Sequence, residues 1–233
     1  MDGYAAVILA GGAARRLDGV DKPALRLGGR PLIDRVLAAV SGGHPRIVVG
    51  PARELPEGVL TAREDPPGGG PLAALAAGLA LVPEHQPLVA LLAADLPFLT
   101  HQAVRDLRAA VGAGAATAGP GAASPGAATA SRGPADFPEA ATYVDPDGRR
   151  QFLCAVWRTG PLRRRLAALG RTDGVPLRRL YAEAHVAELY SPSQPPPWYD
   201  CDTPEQLRYA EAWLKESTHE RSGGLDRDGT SRT

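Results

Sequence analysis

Two six-residue runs, YAAVIL at residues 4–9 and LVALLA at residues 88–93, are apolar or aromatic at every position. Successive strand residues point to opposite faces, so a strand of this kind must be covered on both. Their shortness favours strands over helices. The segments between them have a different period. Pro31 opens a stretch with Leu32, Ile33, Val36, Leu37 and Val40 on one helical face. RIVV at 46–49 reads as a second strand closed by Gly50-Pro51, and a short strand is expected over 59–62. Gly68-Gly69-Gly70 precede a helix from Pro71, with Leu72, Leu75, Leu79 and Val82 inward. Thr100 is placed to cap a third helix whose inner face holds Val104, Leu107 and Val111. Strand and helix alternate, which predicts a three-layer α/β/α, Rossmann-like domain with a mostly parallel sheet.

Residues 112–135 interrupt this pattern with little but Ala, Gly, Pro, Ser and Thr. They are expected to be a flexible insertion within one domain spanning 1–216. Strands are expected again near 141–144, 152–157 and 186–190, with a helix after Pro161. Thr203-Pro204-Glu205-Gln206 reads as a capping box with proline at the first helical position. Its helix should turn Leu207, Ala210 and Leu214 inward, and residues 217–233 are expected to be a disordered tail.

The 233 residues balance 26 basic against 26 acidic side chains, so no overall field favours nucleic acid or an anionic membrane. No apolar run reaches the ~20 residues of a membrane span, and no signal peptide is recognisable. Cys154 and Cys201 are far apart and form no CxxC, which suits a reducing cytoplasm and argues against zinc. The five histidines lack metal-ligand spacing.

Charge gathers where the first strand ends, in LAGGAARRLDGVDK at 9–22. It is neither a GxGxxG turn nor a Walker loop, since Lys22 follows Asp21 and precedes Pro23. Glycine backbone can approach phosphate oxygens closely, and Arg15, Arg16 and Lys22 can neutralise them. A solvated turn would use the same residues. Asp95 follows the apolar strand 88–93 and is either a magnesium ligand or the cap of a turn. Asp200 and Asp202 would share a face if their segment is a strand, and either could complete a metal site. Asp202 could equally serve only the helix N-terminus beside it.

The order LAGGxxxR…DK, followed by Gly29-Arg30-Pro31-Leu32, resembles the signature of nucleotidyltransferases that activate sugars, terpenoid precursors and molybdopterin. Within them, the chain is most similar to the molybdenum cofactor guanylyltransferase family. The likeness continues at Glu64-Asp65, Gly69-Gly70-Pro71-Leu72, Ala94-Asp95-Leu96-Pro97-Phe98 and Asp202-Thr203-Pro204-Glu205. It implies nucleotide contacts from Leu9, Ala10, Gly11 and Gly12, with Lys22 at the phosphates, Asp65 at the nucleoside and Asp95 at Mg2+. Gly50 falls at a nucleotide-binding position where family members often carry asparagine. Asp18, Ala74 and Phe152 also depart from the family pattern.

The implied reaction is transfer of GMP from GTP to molybdopterin with release of pyrophosphate. Arg15, Lys22 and Asp95 are the expected catalytic residues, with Mg2+ on Asp95 and Asp202. Molybdoenzymes or cofactor-delivery proteins are further candidate partners; nucleic acid and membrane are not. The alternatives are a cytidylyl- or other nucleotidyltransferase, a glycosyltransferase using Asp200-Cys201-Asp202, and a nucleotide sensor without catalysis.

Overall fold

The computed structural model describes residues 3–11, 22–112 and 137–223, with side chains as far as residue 216. Seven strands make one sheet: β1 (Tyr4–Leu9), β4 (Arg46–Val49), β5 (Val59–Ala62), β6 (Leu88–Ala93), β7 (Ala140–Val144), β8 (Arg150–Arg158) and β9 (Val186–Leu189). Their order is β5-β4-β1-β6-β8-β7-β9. β1 pairs in parallel with β4 on one side and β6 on the other. β8 runs antiparallel to both of its neighbours. The strands β2 (Arg26–Leu27) and β3 (Arg30–Pro31) form a separate small hairpin.

The pleat of β1 sorts the core. Ala6 and Ile8 pack with α1 (Leu32–Ala39) and α3 (His101–Gly112) through Val36, Leu37, Val104 and Leu107. Ala5 and Val7 pack on the other face with α2 (Pro71–Leu79) and α4 (Thr159–Ala168) through Leu72, Leu75 and Leu162. Both faces are therefore covered, as the two apolar runs require. α2 lies close to the sheet because Gly78 has no side chain. A Cβ there would stand 2.5 Å from Val7 Cγ1 and 2.8 Å from Val49 Cγ2.

α5 (Arg178–Tyr181) seals the second face with Leu180 and Tyr181. α6 (Pro204–Gly223) packs Leu207, Ala210 and Leu214 against Leu27, Leu32 and Cys201. Its capping box forms in full. Gln206 N–H donates to Thr203 Oγ1 at 3.2 Å, and Gln206 Oε1 accepts from Thr203 N–H at 2.8 Å. Thr100 Oγ1 caps α3 by accepting from Ala103 N–H at 3.1 Å.

Some boundaries differ from the expected ones. α2 ends at Leu79, although Val82 is still buried. α6 continues to Gly223, past the expected start of the tail at Ser217. The run is rich in Lys, Glu and Arg, good helix formers, and glycines follow only at its end. Gly112 belongs to α3, and the rest of the expected insertion lies outside the described residues. So do Gly12, Arg15, Arg16 and Asp18.

Candidate active site

The strand order reverses at β1: β4 and β5 are added on one side and β6 on the other, which opens a crevice at the carboxyl ends. Ala10 and Gly11 leave β1 there, Gly50 leaves β4, and Ala94-Asp95 leave β6. Backbone hydrogen bonds lock these exits together. Ala10 N–H donates to Val49 O at 2.7 Å, Gly50 N–H to Ala62 O at 2.9 Å, and Ala94 N–H to Leu9 O at 3.0 Å. Leu9 and Ala10 are buried, and Gly11 is exposed at the crevice.

Gly50 is built into this junction. Its φ is +151°, and a Cβ would lie 2.8 Å from Ala10 C and 2.9 Å from Ala10 O and Gly11 N. A residue with a side chain would push into the peptide that joins Ala10 to Gly11. Arg53 Nη2 donates to Ala10 O at 3.1 Å, a contact the sequence does not announce. Glu64, just beyond β5, is buried and faces Gly11, whereas the neighbouring Asp65 is exposed.

On the β6 side the carboxylates meet. Lys22, at the start of a 3-10 turn (Lys22–Ala24), pairs with Asp202 Oδ1. Asp95 sits in the turn after β6, and its carboxyl is pushed up to about 6. Burial is the main cause; repulsion from Asp200 and Asp202 adds to it, and Lys22 and a backbone hydrogen bond oppose it. Asp200 is also raised, by desolvation first and by Asp202 second. The expected strand does not persist through Asp200 and Asp202. Pro195-Pro196-Pro197 stand just upstream, and proline cannot donate to a ladder.

Another device brings the two aspartates together. Cys201 is fully buried between Leu27, Leu32 and Ala210, so its neighbours are left to face outward. Gln206 then holds both. Its Oε1 accepts Asp202 N–H at 2.8 Å, and its Nε2 donates to Asp200 Oδ1 at 3.2 Å. Burial, followed by the nearby carboxylates, pushes the Cys201 thiol up to about 12, which keeps it unreactive. Cys154 is likewise a buried free thiol, raised to about 12 by burial alone.

Asp95, Asp200 and Asp202 line one end of a cavity of about 420 Å³. The start of β8, with Arg150, Gln151 and Phe152, and the indole of Trp198 complete its walls. Trp198 stacks on Tyr143 with ring centroids 5.2 Å apart. Tyr181 OH donates to Phe152 O at 2.8 Å and accepts from Trp157 Nε1 at 3.0 Å, fixing the β8 wall.

Oxygen donors and a mutually repelling carboxylate pair suit a hard divalent cation such as Mg2+. Among the described residues no three potential ligands form a protein-only metal cage. A site of one or two carboxylates completed by substrate phosphates fits that donor set.

A family model of the MobA-like NTP transferase domain matches residues 6–188. The chain is 38% identical over 112 residues to a molybdenum cofactor guanylyltransferase of Bradyrhizobium sp. (strain ORS 278), covering 45% of this chain and 53% of that protein. The match thus spans about half the length of that relative. Identity to a molybdenum cofactor guanylyltransferase of Rhodobacter capsulatus is 32% over 225 residues, covering 91% of this chain and 97% of that protein. The fold resembles the crystal structure of molybdopterin-guanine dinucleotide biosynthesis protein A from Archaeoglobus fulgidus. The TM-score is 0.62 at 17% identity, over 91% of this chain and 99% of that one.

Proposed function

The chain belongs to the family of MobA-like NTP transferases, and from that premise we propose that it transfers GMP from GTP to molybdopterin. The observation that carries this reading is the meeting of Lys22, Asp95, Asp200 and Asp202 at a cavity of about 420 Å³ at the carboxyl edge of the sheet. In the reaction, a phosphate oxygen of the acceptor forms a bond to the α-phosphorus of GTP. The bond from α-phosphorus to the bridging oxygen breaks, and pyrophosphate leaves with the electron pair. The acceptor is already an anion, so no covalent enzyme nucleophile is needed.

The protein's work is then positioning and charge stabilisation. Lys22 can exchange its Asp202 partner for a phosphate oxygen. Arg15 would add charge from the glycine loop. Asp95, with Asp202 or Asp200, would hold Mg2+, which would offset repulsion between the two phosphate-bearing substrates. The nucleoside would lie over Gly11 and Gly50, near Asp65, and the acceptor would fill the cavity walled by β8 and Trp198. The two free, buried thiols support a cytoplasmic setting.

Incubation with molybdopterin, Mg2+ and one nucleotide at a time tests the reading. Mass spectrometry should find the acceptor heavier by one guanylyl group, GMP less water, with GTP. Transfer of CMP instead, or of nothing, would overturn it. Lys22→Ala should weaken GTP binding roughly 10- to 100-fold, the size of a lost charge-assisted hydrogen bond. Its melting point should hardly change, because a partly exposed ion pair contributes about 1 kcal/mol at most. Lys22→Arg should restore part of the affinity. Unaltered affinity in the alanine variant would return Lys22 to a solvated loop.

A further inference from the structure

Glu64 has a geometry that the transfer chemistry leaves unused. It is only 9% exposed. Its Oε1 accepts Gly68 N–H at 3.1 Å, which closes the turn into the Gly68-Gly69-Gly70 segment. Its Oε2 is buried and, among the described residues, has no hydrogen-bond partner. Both oxygens face the bare side of Gly11, where a Cβ would lie 3.5 Å from Oε1 and 3.9 Å from Oε2. The same point is 3.7 Å from Gly50 Cα. A buried carboxylate oxygen left without a donor is costly, and a ligand bound over Gly11 would supply one.

The strand order says which part of a ligand arrives there. Asp95 follows β6, and Glu64 follows β5, with β1 and β4 between them. At about 4.8 Å per strand, the two ends of the crevice are roughly 10–15 Å apart. A nucleotide with its phosphates by Lys22 and Asp95 must therefore extend its nucleoside toward Gly11 and Glu64. Phosphates would be repelled by Glu64, so the donor has to come from the base or the sugar. Guanine offers two adjacent donors, N1–H and the 2-amino group, on one edge. Adenine and cytosine place a ring-nitrogen acceptor beside their amino group, which a carboxylate repels.

Resting on the nucleotidyltransferase reading above, we propose that Glu64 reads the donor edge of guanine and sets the base preference of this site. The test is binding of GTP, ITP, XTP, CTP and 2′-deoxy-GTP to the full chain, without acceptor. The wild-type protein should bind ITP, which lacks the 2-amino group, about 10-fold more weakly than GTP. Glu64→Gln keeps an oxygen for Gly68 N–H but turns one acceptor into a donor. It should weaken GTP roughly 10- to 100-fold and invert the preference between GTP and XTP, whose 2-oxo group accepts from the amide. Equal weakening of every nucleotide in Glu64→Gln would overturn the proposal and leave Glu64 as a support for the glycine turn. A defect that vanishes with 2′-deoxy-GTP would overturn it in favour of a ribose contact. Wild-type binding of CTP as tightly as GTP would also overturn it, whereas failure of the wild-type protein to bind any nucleotide would overturn the transferase reading itself.

Discussion

Asp95→Asn is expected to make the free protein more stable while removing most of its turnover. Asp95 has its carboxyl raised from 3.8 to about 6 by burial and by Asp200 and Asp202. Between those two values the unfolded chain has released its proton and the folded protein still holds it. The folded state then binds more protons, so stability falls as pH rises through that window. The contribution is intact below about pH 4 and lost above about pH 6. A displacement of this size is worth up to about 3 kcal/mol at neutral pH. Asparagine does not titrate, so the variant's advantage should open between pH 4 and 6 and then level off. For a chain of this length, each kcal/mol moves the melting point about 2–4 °C. Thermal melts at pH 4 and pH 7 should therefore diverge by several degrees. Turnover should fall by at least ~100-fold, as on losing one preorganised electrostatic contact. Higher Mg2+ should recover part of it. Equal pyrophosphate release at every Mg2+ concentration would leave Asp95 as the cap of its turn.

Gly50→Ala should have the opposite effect on stability and should weaken nucleotide binding. The added methyl group would meet backbone atoms of Ala10 and Gly11 at 2.8–2.9 Å. Those atoms resist displacement, because Ala10 N–H is held by Val49 O at 2.7 Å and Leu9 O by Ala94 N–H at 3.0 Å. Backbone strain at φ +151° adds to the clash. Together these should cost about 3 kcal/mol, read as a lower denaturation midpoint. The Ala10-Gly11 peptide must also move, so GTP affinity should fall even where the variant is fully folded. Wild-type melting together with wild-type affinity would show that the junction is looser than its contacts indicate.

The strands that carry this junction were readable because their cores are apolar throughout. YAAVIL, RIVV and LVALLA each become a strand at the expected residues. The capping box of α6 was equally plain, since it depends on residues three apart. What the sequence hides depends on register between distant strands. Glu64 faces Gly11 only because β5 lies two places from β1, and Arg53 reaches Ala10 because β4, which it follows, lies beside β1. The hairpin of β2 and β3 is too short for a pattern, with two residues per strand. Asp200 and Asp202 lie together without the strand that would have put them on one face. Their meeting rests on the burial of Cys201 and the grip of Gln206, both visible only after α6 has docked.

The reversed strand β8 separates two kinds of inheritance. Being antiparallel to β6, it brings its beginning, not its end, to the crevice, with Cys154 opposite Leu92. Among the described residues, those proposed to hold the nucleotide lie within the first 95, apart from Asp200 and Asp202. The far wall of the cavity comes largely from residues 150–153 and Trp198, later in the chain. On the transferase reading, drift at residues 150–153 and Trp198 would remodel what is accepted without disturbing which nucleotide is donated. On the same reading, a chimaera joined within the α3–β7 connection should exchange the acceptor, and should keep the nucleotide only where the incoming segment also carries carboxylates at 200 and 202.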